Sequence, residues 1–120
     1  MASVDTNLCY LTISEAAGLL RRQELSPVEL TDLYLQRIDR HDGLLRSYIT
    51  VTADIARRAA EEAEGLPMSG RELGPLHGVP LADKDEFYTK GALTTSGSII
   101  LSEFVPEYDA TAVARLNQAG

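Results

Sequence analysis

With 120 residues, the chain has room for one domain that buries roughly two-thirds of its unfolded surface, which excludes two independent domains. Its 44% apolar and 24% charged fractions sit near globular averages and exclude a disordered polyelectrolyte. Eighteen acidic against eleven basic residues give a net charge of −7, the wrong sign for phosphates or anionic lipid, so neither direct nucleic-acid binding nor membrane association is expected.

Thr12 and Glu15 stand at capping-box spacing, and Ile13, Ala16, Ala17 and Leu20 recur at helical intervals, which predicts a short amphipathic helix over about 13–23. Ser26, Pro27 and Glu29 repeat that grammar. Serine caps, proline is tolerated in the first turn, and glutamate can close the box. Leu30, Leu33, Tyr34 and Ile38 then form the buried stripe of a second helix, which His41, Asp42 and Gly43 should end. Tyr48 to Val51 is short and β-prone, and it leads into an alanine-rich helix from Ala53 to Glu64 that Gly65 can terminate. Residues 65–78 hold six glycines and prolines and read as a loop. Val79 to Lys84 is the best strand candidate. Asp109 caps a final helix, with Ala112, Val113, Leu116 and Ala119 on one face.

That inventory is about four helices with only one or two short strands, and a lone strand exposes unpaired backbone groups on both edges. The chain also stops at Ala119-Gly120, a helix end of the kind followed by another strand in α/β folds. The expectation is the first part of a larger α/β domain. A single cysteine, Cys9, has no internal disulfide partner, so a cytoplasmic, reducing setting is the default. Met1 to Tyr10 lacks a basic start and a continuous apolar run, so no secretory signal is read there, and no window reaches the ~18 apolar residues of a membrane span.

Residues 74–98 read GPLHGVPLADKDEFYTKGALTTSGS and resemble the lysine-bearing block of the amidase signature family. The SPVEL helix start, the Tyr48–Val51 stretch, Thr94 to Ser98 and the YDATAVARLNQAG helix occur in the family's order and approximate spacing. The resemblance covers the chain from about Leu11 to Gly120. It implies an α/β/α sandwich with a mixed sheet, of which residues 1–120 would be the helix-rich N-terminal part with one or two strands.

On that resemblance the family's catalytic lysine falls on Lys84. The serine nucleophile and the cis-peptide serine bridging it to lysine lie, in the family, well beyond position 120, so one member of a three-residue machine is in this chain. A lysine that accepts a proton near neutral pH must lose roughly 3 pKa units, which burial supplies and adjacent carboxylates oppose. If Val79 to Asp85 is extended, Lys84 points away from both Asp83 and Asp85. Asp83 departs from the family pattern, which usually has an apolar residue before the lysine.

Other residues invite functional readings with plainer competitors. Lys84 itself, by residue type alone, is a solvated lysine in a charge cluster. Asp83, Asp85 and Glu86 lack the spaced acids and central glycine of a calcium loop, so a solvated or locally hydrogen-bonded acidic turn is favoured. His77, in a breaker-rich loop, reads as a turn or packing residue. Thr94 to Ser98 does not match the G-x-S-x-G elbow and reads as a structural loop leading into a helix. Cys9 reads as an inert thiol in a mobile terminus.

The resemblance implies hydrolysis of small-molecule amides, carbamates or esters through an acyl-serine intermediate, with no metal and no organic cofactor. An amidotransferase subunit that releases ammonia from glutamine for a partner is a sub-case. The chain's first partner would be the remainder of its amidase domain, and homo-oligomerisation is left open. The alternatives are a non-catalytic helical interaction module and a truncated, inactive fragment.

Overall fold

A computed structural model of the chain describes residues 6–120, so the reading of Met1–Tyr10 as free of a secretory signal rests partly on residues outside that range. The first two helices begin where the sequence places strong start signals. The Thr12 hydroxyl accepts the Glu15 amide at 3.2 Å and the Glu15 carboxylate accepts the Thr12 amide at 2.8 Å, closing the box on α1 (Ile13–Arg21). The Ser26 hydroxyl accepts the amides of Val28 and Glu29 at 3.1 and 3.2 Å, with Pro27 in the first turn of α2 (Pro27–Leu45). Its proton goes to Glu64 at the end of α3 (Ala53–Gly65), so the cap is tied to a neighbouring helix rather than closed by Glu29.

The end of α2 corrects the sequence reading. His41, Asp42 and Gly43 do not stop the helix, which continues to Leu45 before Arg46 turns left-handed at φ 52°. The Asp42 carboxylate accepts the amides of Ser47 and Tyr48 at 2.6 and 3.3 Å, satisfying donors just past the helix end. An interior glycine costs only about 1 kcal/mol against alanine, which continued helical bonding offsets.

The core forms where α1 meets α2. Ala16 and Leu20 of α1, Leu25 of the connection and Leu30 of α2 are buried together, with Leu8, Leu11, Leu19, Tyr34 and Val79 packed around them. Helix α3 lies against α2, with Ala60 buried and Arg57 paired to Asp32 at 2.8 Å. Both ends of that pair are solvent-exposed, so it adds little to stability. A 3₁₀ turn, Thr6–Tyr10, also packs on α2, where the Tyr34 hydroxyl donates to the Cys9 carbonyl at 3.4 Å. Cys9 is therefore half-buried in an ordered turn, not in a mobile terminus.

Neither expected strand forms among the described residues. Tyr48–Val51 and Val79–Lys84 are without a ladder, and the amides of Leu81 to Lys84 donate to no backbone carbonyl. A strand exists only where a second segment is hydrogen-bonded alongside, and β-prone side chains do not by themselves bring the two candidate segments together. The loop before Lys84 is nevertheless anchored. Leu76 donates to the Ala119 carbonyl at 2.9 Å and Gly78 to that of Gly120 at 3.0 Å, joining it to the end of α4 (Thr111–Gln118). Gly78 has φ 71°, and a Cβ there would come 2.9 Å from the Pro27 ring, so both backbone and packing call for glycine.

Three further expectations change. Residues 65–78 are not wholly irregular, since Leu66–Ser69 makes a 3₁₀ turn and 75–78 a tight turn. Asp109 does not cap α4; Ala110 holds the cap position, while the Asp109 carboxylate accepts the Lys90 amide at 2.7 Å. No helix follows Thr94 to Ser98, because residues 98–104 form successive turns.

The resulting slab measures 45 × 35 × 21 Å, with a radius of gyration of 15.2 Å. A compact domain of this length has roughly 14 Å. Large apolar side chains remain in water, among them Ile99 and Ile100 at 92% and 93% exposure and Leu44 at 89%. The described residues thus make a helical layer that leaves many large apolar side chains uncovered.

Candidate functional site

A cavity of about 1020 Å³ opens beside α2, walled by Thr31, Tyr34, Leu35 and Ile38 of that helix, by residues 47–52, by residues 80–87 and by part of the 92–97 loop. Lys84 is on its wall. The Phe87 amide donates to the Lys84 carbonyl at 2.9 Å, so the chain turns sharply just after the lysine. That turn brings Glu86 back to the lysine, with Lys84 Nζ and Glu86 Oε1 2.9 Å apart. The sequence reading follows an extended run only to Asp85, sets Asp83 and Asp85 on the face opposite the lysine, and does not weigh Glu86, whose contact is made by the turn that starts at the lysine. The Lys84 side chain is 71% exposed and the pair is bathed in water.

Asp85 faces the other way. Its carboxylate accepts the Thr95 amide at 2.9 Å, the Thr95 hydroxyl, and the Gly97 amide at 3.3 Å; its carbonyl accepts the Ser96 amide at 2.8 Å. These bonds hold Ser96 and Gly97 in successive left-handed conformations, φ 50° and 65°. Thr94 and Thr95 are buried beneath them. The acidic turn is thus locally hydrogen-bonded at Asp85, and among the described residues no group of three His, Cys, Asp or Glu gathers as a metal-ligand set.

The Thr95 hydroxyl, with the Thr95 and Gly97 amides, lowers the Asp85 carboxyl below its ordinary value. Such a carboxylate stabilises the fold fully above the unfolded value of about 3.9, and the contribution is lost as pH falls through the lower folded value. Acid titration followed by NMR should therefore show the Thr95 and Gly97 amides shifting together at a pH below the ordinary aspartate value. Midpoints at the ordinary aspartate value would remove the clamp.

His77 is 3% exposed in the 75–78 turn and does not line the cavity. Burial pushes its imidazole below the usual range, the Arg21 charge adds to this, and a hydrogen bond with the Ala63 backbone opposes it. A packing histidine is what the geometry shows. The Thr94 hydroxyl donates to the Ala92 carbonyl and the Ser98 hydroxyl accepts the Ile100 amide, so these side chains are engaged in building turns.

A family model described as Amidase matches residues 29–120, which takes in α2, the lysine-bearing turn, the clamped loop and α4. The chain belongs to the amidase family. Among curated proteins this amidase chain is 44% identical over 113 residues to a glutamyl-tRNA(Gln) amidotransferase subunit of Moorella thermoacetica, covering 94% of the chain and 23% of that relative. It is 50% identical over 110 residues to the protein of the same name from Geobacter metallireducens, covering 92% and 22%. A solved structure, described as a vestigial protein complex revealing the evolutionary origins of an s-triazine catabolic enzyme, superposes with a TM-score of 0.86 at 29% identity, over 92% of this chain and 24% of that one. The amidase chain thus spans about a quarter of the length of the relatives it matches.

Proposed function

We propose that this amidase chain is the N-terminal part of a single α/β/α hydrolase domain with a mixed sheet, acting in the cytoplasm on amide, carbamate or ester bonds through an acyl-serine intermediate. Lys84 is its general base, drawing the proton of a nucleophilic serine through a bridging serine supplied by the rest of the domain. The observation that carries this reading is the family match over residues 29–120, within which the lysine-bearing segment lines the large cavity. A lysine base works only when sheltered from water. Lys84 is open to solvent, and so are Ile49, Val51, Leu81 and Phe87 in the lining of the same cavity, so the remaining sheet and its loops cover both at one place.

The relatives named as glutamyl-tRNA(Gln) amidotransferase subunits favour one form of this reading, in which the full-length protein works within a complex and passes nitrogen from an amide donor. Full-length protein should hydrolyse members of a panel of anilides, primary amides, esters and carbamates, glutamine included. The 120-residue chain alone should not, because a lone base has neither nucleophile nor oxyanion donors. Turnover by the isolated chain that Lys84→Ala abolishes would show a complete site within these residues, and inertness of the full-length protein across the panel would remove the hydrolase reading.

A further inference from the structure

Four hydrogen bonds from one loop converge on Asp85, the residue next to Lys84 in the chain. The carboxylate uses both oxygens as acceptors: Oδ1 takes the Thr95 amide, while Oδ2 takes the Thr95 hydroxyl and the Gly97 amide. The Thr95 hydroxyl accepts the Gly97 amide in turn, at 3.1 Å, so these donors are directed inward onto one side chain. At the loop's base, the Thr94 amide is held by the Phe104 carbonyl at 2.9 Å. The loop is therefore fixed at both ends, and the turn carrying Lys84 is fixed to the loop.

Both sides of this junction line the cavity, through Lys84 on one segment and Ser96 and Gly97 on the other. Lys84 has a long, flexible side chain whose ion pair with Glu86 is solvent-exposed, so that contact does little to locate it. What locates it is the backbone beneath it. We propose that Asp85 is a positioning residue for the amidase reaction, clamping the Lys84 turn to the Thr95–Gly97 loop and so setting where the lysine enters the cavity. The proposal rests on the reading of Lys84 as the general base.

An asparagine cannot make the same clamp. Its amide nitrogen would set a donor against either the Thr95 or the Gly97 amide, and backbone donors cannot reverse. Thr95→Val deletes the hydroxyl at nearly constant volume, whereas Thr95→Ser keeps it. Displacing a reacting group by about 1 Å through a change in its support can cost roughly 100-fold in rate.

The test uses full-length protein and steady-state kinetics on its best amide substrate. Asp85→Asn and Thr95→Val should each lower kcat by up to about 100-fold with KM little changed. Thr95→Ser should restore most of kcat, and the Asp85→Asn/Thr95→Val pair should be far less damaging than the product of the single effects, because the two groups share one clamp. If Asp85→Asn fails to fold, judged by circular dichroism and thermal midpoint, the Thr95→Val and Thr95→Ser comparison carries the test. Wild-type kcat in Thr95→Val, or in a folded Asp85→Asn, overturns the clamp. Equal losses in Thr95→Ser and Thr95→Val also overturn it, since packing and not the hydroxyl would then matter. Lys84→Ala, assayed beside them, separates the two ideas: an active Lys84→Ala sinks the general-base reading itself, while an inactive one beside an unimpaired Asp85→Asn sinks only the positioning role.

Discussion

Lys84→Ala in the full-length protein should lower kcat by roughly 10²- to 10⁴-fold while leaving the fold in place, the range expected when a positioned general base is removed. Two features of the structure separate chemistry from stability here. The Lys84 side chain is 71% exposed, and its partner Glu86 is also in water, so truncation removes a pair worth ~0–1 kcal/mol and opens no cavity in the core. The lysine is bounded by a turn that its backbone closes through the Phe87 amide, and alanine keeps that bond. Activity should therefore fall without a matching change in circular dichroism or thermal midpoint. Near-normal turnover in a folded variant would take Lys84 out of the mechanism. Lys84→Arg is a useful companion, because it keeps the charge and the ion pair but cannot give up a proton near neutral pH; it should be as inactive as alanine.

Leu30→Ala should destabilise the chain by about 2–5 kcal/mol, the range for truncating a fully enclosed leucine. Leu30 is 1% exposed and sits where Ala16 and Leu20 of α1 and Leu25 of the connection converge on α2. Little can collapse into the space it would leave, since α1 and α2, which meet there, are each held by their own cap, at Thr12 and Ser26. Domains are stable by only about 5–15 kcal/mol, so the loss is a large share of what is available, more so for a layer that leaves many large apolar side chains in water. Urea unfolding followed by circular dichroism measures it. Ile99→Ala and Ile100→Ala are the controls, at 92% and 93% exposure, and should be nearly neutral in this chain. A Leu30→Ala midpoint no lower than theirs would show that the α1–α2 junction is not the stabilising core.

Much of the helical layer was legible in the sequence by itself. The starts of α1 and α2 follow from Thr12, Glu15, Ser26 and Pro27, because a capping bond joins a side chain to an amide two or three residues away and needs nothing else. The buried stripe led by Leu30 and Leu33 follows from helical spacing, and the lysine-bearing block is a contiguous run that can be recognised unfolded. Tertiary structure decided what depends on distant partners. Asp42 ends up serving amides beyond Leu45 instead of breaking the helix, and Asp109 leaves α4 uncapped to hold Lys90, 19 residues away. Val79–Lys84 has strand character but no strand, since a ladder needs a second segment hydrogen-bonded alongside, and among the described residues none, Tyr48–Val51 included, pairs with it. At the site, the sequence points to Lys84 and, through alternation in an extended run, turns Asp83 and Asp85 away from it, but it gives none of the three acids a partner. Folding assigns them: Glu86 returns to the lysine through a tight turn, and Asp85 turns to Thr95 and Gly97 across ten and twelve residues of chain, a pairing that no local spacing encodes.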